Sequence, residues 1–289
     1  MKPGITRWEG KSVSRNRSAR LSPLRWVPRA AIAVAVTATT AGCQSSSFTR
    51  MGLLPPVTKQ GAVTLTMWQG SWIAAWIVGA IVWGLIIWAV LFHRKHSDRV
   101  PDQVRYNLPI EALYTVLPFI MVGVLFFFTV RDENYINKLP PHPDVVVNVT
   151  GFQWSWEFQY PQYKVPRSEA GYVTVLGQMW NGSLPGNAGQ LPVLEIPTGE
   201  TVRFNLASTD VVHAFWIPPF EFKRDVIPDH PNHFEVTPTQ TGTFIGHCTE
   251  LCGVYHSRML FTVKIVTPAQ FRTWITHQQA LQNASGGTQ

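Results

Sequence analysis

At 289 residues the chain has room for one or two domains, and its 45% hydrophobic content is ordinary in amount. The formal charge of +7 resides wholly in residues 1–42, which hold eight Lys/Arg and one acid, so the remainder balances to zero. The basic balance is therefore no signature of nucleic-acid binding; it marks a targeting segment.

That segment has a basic start (Lys2, Arg7, Lys11, Arg15, Arg17, Arg20, Arg25 and Arg29), then an apolar run of small residues over 30–41, as a signal peptide does. It ends in Thr40-Ala41-Gly42-Cys43, which looks like a bacterial lipoprotein cleavage site with Thr40 where Leu is usual. Cys43 would then carry lipid on its thiol. An ordinary signal cut nearby, or an uncleaved anchor, is the alternative. Of the three cysteines, Cys43 closes the signal, which leaves Cys248 and Cys252 without a disulfide framework. Two thiols on the oxidising side of a membrane call for a metal or a redox role.

Residues 43–66 contain Ser, Pro and Gly with little periodicity and predict an extracytoplasmic tether. Residues 71–92 carry no charge and would be about 33 Å long as a helix, enough to span a bilayer. A second apolar run covers 110–130, with Glu111 at its start and Pro118 inside it. Together they predict a transmembrane hairpin over 67–131. The loop between them, His93-Arg94-Lys95-His96-Ser97-Asp98-Arg99 and then Arg105, is basic and belongs inside the cell. Both outer ends of the hairpin then face outward, as a lipidated N-terminus would. Pro118 points to a kink packed against other protein. Glu111 is either a carboxylate snorkelling at the interface or a mark of a proton or ion route.

After residue 131 the pattern changes to short β-rich runs: 144–151, 153–160, 172–176, 201–207, 211–217, 233–237, 243–247 and 258–266. Gly, Pro and Asn punctuate them and several alternate, which predicts an all-β sandwich or barrel over 132–267. Residues 161–192 read as a long loop with one strand. Residues 268–289 read as a short amphipathic helix over 268–281 and a tail. The fold class is thus a membrane-anchored α+β chain: a two-helix hairpin followed by an all-β sandwich.

The chemistry concentrates in Gly246-His247-Cys248-Thr249-Glu250-Leu251-Cys252-Gly253-Val254-Tyr255-His256-Ser257-Arg258-Met259. Thiolate and thioether favour copper(I), iron–sulfur or zinc, and imidazole suits copper and zinc. The thioether of Met259 tips the balance to copper, and a second Cys four residues after the first suggests two thiolates shared between two coppers. On residues alone, both cysteines could instead be small buried hydrophobes and Met259 core filler. A second imidazole must come from elsewhere, with His142, His213, His230, His233 and His247 as candidates. His247 is disfavoured because neighbours on a strand point to opposite faces. His213, in an apolar strand-like run, could also be a hydrogen-bonded core residue.

The spacing Cys248–xxx–Cys252–xxx–His256–xx–Met259 resembles the binuclear copper A loop of the cytochrome c oxidase subunit II family, and the resemblance covers roughly residues 60–266. It implies a cupredoxin-like sandwich. It also implies a centre in which both coppers share Cys248 and Cys252, and each takes one imidazole, from His213 or His256. Met259 sulfur and the Glu250 main-chain carbonyl are the weak axial ligands, and His213 matches the family's V-x-H-x-F-x-x-P pattern. It further implies a magnesium ion held by the Glu250 carboxylate at the subunit I boundary, electron entry at Trp154 in Gln153-Trp154-Ser155-Trp156, with Trp156 in the core, and Glu111 at the mouth of a proton channel. The partners implied are subunit I and other oxidase subunits, the bilayer, and a cytochrome c or a cytochrome c domain of a neighbouring complex. A surplus of three acidic charges from Arg131 onward suits a basic donor. A copper chaperone or thiol-reducing protein needs neither the full spacing nor the aromatic run. Nitrous oxide reductase shares the copper centre but lacks a spanning hairpin.

Overall fold

The computed structural model describes residues 48–94, 100, 103–166, 168–177 and 191–285. The signal expected over 1–42, Cys43, most of the basic loop between the helices and the end of the tail lie outside them.

Two helices come first, α1 (Lys59–Phe92) and α2 (Leu108–Ile136), both long and apolar enough to cross a membrane. Within the tether expected over 43–66, α1 already begins at Lys59, twelve residues before Ser71. Thr58 caps it by accepting the Gly61 N–H at 2.9 Å. The preceding main chain is tied to the β-domain. Val57 donates its N–H to the Pro219 carbonyl and accepts from Thr239, and Lys59 donates to the Thr237 carbonyl. Gln60 accepts the Thr237 N–H through its side chain. Gly61 is required here because a Cβ would lie 2.8 Å from the Phe220 carbonyl oxygen. At 1.5 Å per residue a 34-residue helix is about 51 Å long against a hydrocarbon layer of about 30 Å. The surplus forms a stalk docked on the outer domain. At its other end α2 runs past the expected boundary at 131 to Ile136, through Pro118.

Among the described residues ten strands follow: β1 (Val145–Phe152), β2 (Ser155–Lys164), β3 (Tyr172–Leu176), β4 (Val193–Pro197), β5 (Val202–Ser208), β6 (His213–Trp216), β7 (Lys223–Val226), β8 (Asn232–Val236), β9 (Gly242–Cys248) and β10 (Leu260–Val266). One sheet runs β3-β2-β1-β5-β8 and the other β4-β10-β9-β6-β7. Alternating side chains of β1, β2 and β5 meet those of β6, β9 and β10 between the sheets, as in a sandwich. Trp156, Phe158, Phe204, Phe215 and Phe261 fill that layer, with Phe215 stacked on Phe261 at 4.9 Å. The observed domain is the cupredoxin-like sandwich expected.

Strands β4 and β7 were not anticipated. Val193–Pro197 follows a Gly- and Pro-rich stretch and pairs in parallel with β10, so its partner is remote in sequence. The Tyr160 hydroxyl holds it by donating to the Glu195 carbonyl and accepting the Glu195 N–H. Lys223–Val226 is mostly charged and exists through its antiparallel pairing with β6. The helix α3 (Pro268–Ser285) is longer than expected and buries Phe271 and Ile275. Its Gln282 side chain both accepts from and donates to the Thr174 main chain, closing the outer edge of β3 as another strand would.

Candidate metal centre

Three elements of the second sheet converge at one end of the sandwich. Strand β6 supplies His213, which is fully buried. Strand β9 ends at Cys248, and the loop back to β10 carries Glu250, Cys252, His256 and Met259. The loop is closed at its base: Cys248 donates its N–H to the Met259 carbonyl, and Thr249 donates to Ala214 on β6. Phe215 pairs with Cys248 in register, which fixes the ends of β6 and β9 side by side.

The donor atoms follow from this frame. Cys248 Sγ lies 3.8 Å from His213 Nδ1, 3.3 Å from the Glu250 carbonyl oxygen and 3.8 Å from Cys252 Sγ. Cys252 Sγ lies 3.6 Å from His256 Nδ1 and 3.8 Å from Met259 Sδ. The sulfurs are far beyond the ~2.05 Å of a disulfide, and both thiols are free and buried. His213, Cys248 and Cys252 offer three ligand atoms within 4.8 Å of one another. The six residues named from the sequence are thus brought together. His247 is not among them: it projects from the other face of β9 and lies against Trp216.

Asp210 was missed. Its Oδ1 lies 2.8 Å from His213 Nε2 and accepts the Val211 N–H, and its Oδ2 accepts the Gln153 N–H at 2.6 Å. The carboxylate keeps the proton on Nε2 and leaves the Nδ1 lone pair facing the thiols, the arrangement usual for metal-ligating histidines. Burial opposes the Asp210 charge, but the bonds from His213, Gln153 and Val211 outweigh it and hold the carboxyl below its usual range. Burial likewise opposes the Cys248 thiolate, but His213 and the main-chain groups of Ala214 and Glu250 draw the thiol down. Burial and the neighbouring Cys248 push the Cys252 thiol up. The two thiols thus sit in unlike electrostatic settings. The one sequence signal for Asp210 is an acid three residues before His213.

The aromatic run is not a continuous strand. Phe152 pairs with Ser155, so Gln153 and Trp154 form the two-residue turn between β1 and β2. Trp156 enters the core beside His213, Phe215 and Phe261. Trp154 lies over the metal loop, with its indole N–H donated to the Cys252 carbonyl at 3.2 Å and its ring edge-on to Tyr255. Leu251 and Val254 are exposed beside it. Glu250 is exposed, and Glu111 lies in the first turn of α2, far along the chain from this cluster, where it accepts the Asn107 N–H at 2.9 Å.

Two thiols, imidazole, a buried thioether and a carbonyl suit copper better than zinc, which seldom takes a thioether. Two apolar helices carrying a sandwich, with these donors gathered at one end of a sheet, define a membrane-anchored cupredoxin-like protein whose His213, Cys248 and Cys252 cluster fits a copper site. The family model for the periplasmic domain of cytochrome c oxidase subunit II matches residues 145–266. A probable cytochrome c oxidase subunit 2 of Streptomyces avermitilis is 47% identical over 281 residues, covering 89% of this chain and 88% of that one. The cytochrome c oxidase subunit 2 of Mycobacterium tuberculosis is 36% identical over 295 residues, covering 87% and 81%. A solved periplasmic domain of subunit II of cytochrome oxidase from Bradyrhizobium japonicum is 27% identical, covers 50% of this chain and 99% of that one, and has a TM-score of 0.40. The chain belongs to the cytochrome c oxidase subunit II family, a subunit of an oxidoreductase complex, and is membrane-anchored with an extracytoplasmic domain.

Proposed function

We propose that this chain is the electron-entry subunit of a cytochrome c oxidase. It takes electrons from a cytochrome c, or a cytochrome c domain of a neighbouring complex, and delivers them to haem in subunit I, where oxygen is reduced to water and protons are translocated. The observation that carries this reading is the convergence of His213, Cys248, the Glu250 carbonyl, Cys252, His256 and Met259 at the exposed end of the sandwich. A binuclear copper A centre would be held there by His213, Cys248, the Glu250 carbonyl, Cys252, His256 and Met259, and would supply a one-electron store. The chain's own part is rigidity and access. The β6–β9 register and the closed loop base hold the donors in one arrangement, which keeps reorganisation small. Trp154 is the entry point, because its ring lies at the exposed lip and its N–H reaches the Cys252 carbonyl. The exposed Glu250 carboxylate would supply one ligand to a magnesium ion at the boundary with subunit I.

In the membrane the hairpin is multi-pass, with the N-terminus and the copper domain on the extracytoplasmic side, and Cys43 carries lipid. The central test is metal analysis and EPR of the full-length chain in detergent. Two coppers per chain, with hyperfine structure from one unpaired electron shared by two copper nuclei, is the expected result. One copper with a mononuclear spectrum, or zinc instead, would overturn the binuclear reading.

A further inference from the structure

The two thiol ligands are held in different ways. Cys248 ends a strand: its N–H is paired with Met259, and the next residue is bonded to β6. Cys252 lies out in the loop, and its main chain is held from outside by the β1–β2 turn. Gln153 Nε2 donates to the Cys252 carbonyl at 2.6 Å, and Trp154 Nε1 donates to the same oxygen at 3.2 Å. An amide oxygen in place of Nε2 would face another oxygen, so the donor assignment is the only favourable one. The following turn continues the support, since the Gly253 carbonyl accepts the His256 N–H at 3.1 Å. The same Gln153 donates its main-chain N–H to Asp210, which in turn holds His213.

We propose that Gln153 is a positioning residue for the metal loop. Its side-chain amide fixes the turn that carries Cys252 and His256, while its main chain steadies Asp210 on the His213 side. This rests on the copper reading above and deepens it. Because the two functions use different atoms, they separate on mutation. Replacing the side chain removes support from the Cys252 and His256 half. The main-chain N–H to Asp210, and with it the His213 half, survives any substitution other than proline.

The test compares Gln153→Ala, Gln153→Glu and Trp154→Phe in the full-length chain. Gln153→Glu keeps the length but offers only acceptors when ionised. Trp154→Phe keeps most of the ring and loses only the longer hydrogen bond. Copper release to a chelator should be about tenfold faster in both Gln153 variants, the effect of one lost, partly buried hydrogen bond, and less affected in Trp154→Phe. Pulsed EPR should show the nitrogen coupling of His256 changed and that of His213 unchanged. Amide exchange at His256, whose N–H is bonded to the Gly253 carbonyl, should quicken in the metal-free chain, a readout independent of copper. The proposal falls if Gln153→Glu matches the parent in release, coupling and exchange. It falls equally if the metal-free variants melt earlier and copper loss merely follows that melt, or if both histidine couplings shift together. A parent chain that binds no copper pair, with the exchange difference still present, would overturn the copper reading alone.

Discussion

Trp154 and Trp156 are two positions apart and would share a face on a strand, yet the turn at Gln153-Trp154 sends one to the rim and the other into the core. Trp156→Ala should cost about 3–5 kcal/mol and lose copper in proportion, because a large buried ring is replaced by a cavity. Trp154→Ala would mix two effects, since it also removes a hydrogen bond and the ring that lies on Gly253. Comparing Trp154→Phe with Trp154→Leu by stopped-flow reduction separates them. Slower transfer from the donor in both, at full copper and with an unchanged melt, is expected of an entry residue. Normal rates in Trp154→Leu would leave the entry route elsewhere. Glu111 has a local role that the sequence did not reveal, as an acceptor for Asn107 at the start of α2. Glu111→Gln keeps an acceptor oxygen and removes the ionisable group. It should slow proton-coupled reduction of the assembled oxidase without changing the copper spectrum; equal turnover would reduce Glu111 to a cap.

At the scale of elements, the metal loop depends on a close approach that only one residue type allows. Gly253 sits at φ +126°, and a Cβ there would come within 3.0 Å of the Trp154 ring. Gly253→Ala should therefore destabilise the loop by about 1–3 kcal/mol. Calorimetry with and without copper is the measurement. The larger change is expected in the metal-loaded form, where the loop must hold one shape, and equal melts for variant and parent would show that the loop yields freely. The stalk of α1 follows the same logic on a larger interface. Val57, Lys59 and Gln60 bond to the segments around Pro219 and Thr237, so the outer domain is attached to the first helix by these hydrogen bonds and not only by the covalent link from α2.

For the whole molecule, the basic loop between the helices sets the orientation expected in the membrane. Reporter fusions at Ser97 should read cytoplasmic and fusions at Pro161 extracytoplasmic; the reverse pattern would overturn the orientation. Mass spectrometry of the mature N-terminus should find an acylated Cys43. A free terminus at another residue would leave the hairpin as the membrane attachment, with α1 docked on the outer domain in either case.

The ligand spacing, the two apolar runs and the alternating strands were legible in the sequence because each is a local pattern: a short loop, a composition, a period of two. His213 was reachable through resemblance, because its apolar strand-like run by itself suits a core histidine as well as a ligand. Strand β4 was not legible, because its partner β10 lies some seventy residues away and parallel pairing leaves no turn signal. The start of α1 was hidden because Thr58 becomes a cap only where Val57 and Lys59 meet the strands and turns of the outer domain. Asp210 and Gln153 are ordinary turn residues until the sandwich closes. The sequence determined which donors the chain possesses. Tertiary structure decided which of them meet, and which neighbours hold them, because hydrogen bonds between remote segments exist only after the two sheets have packed.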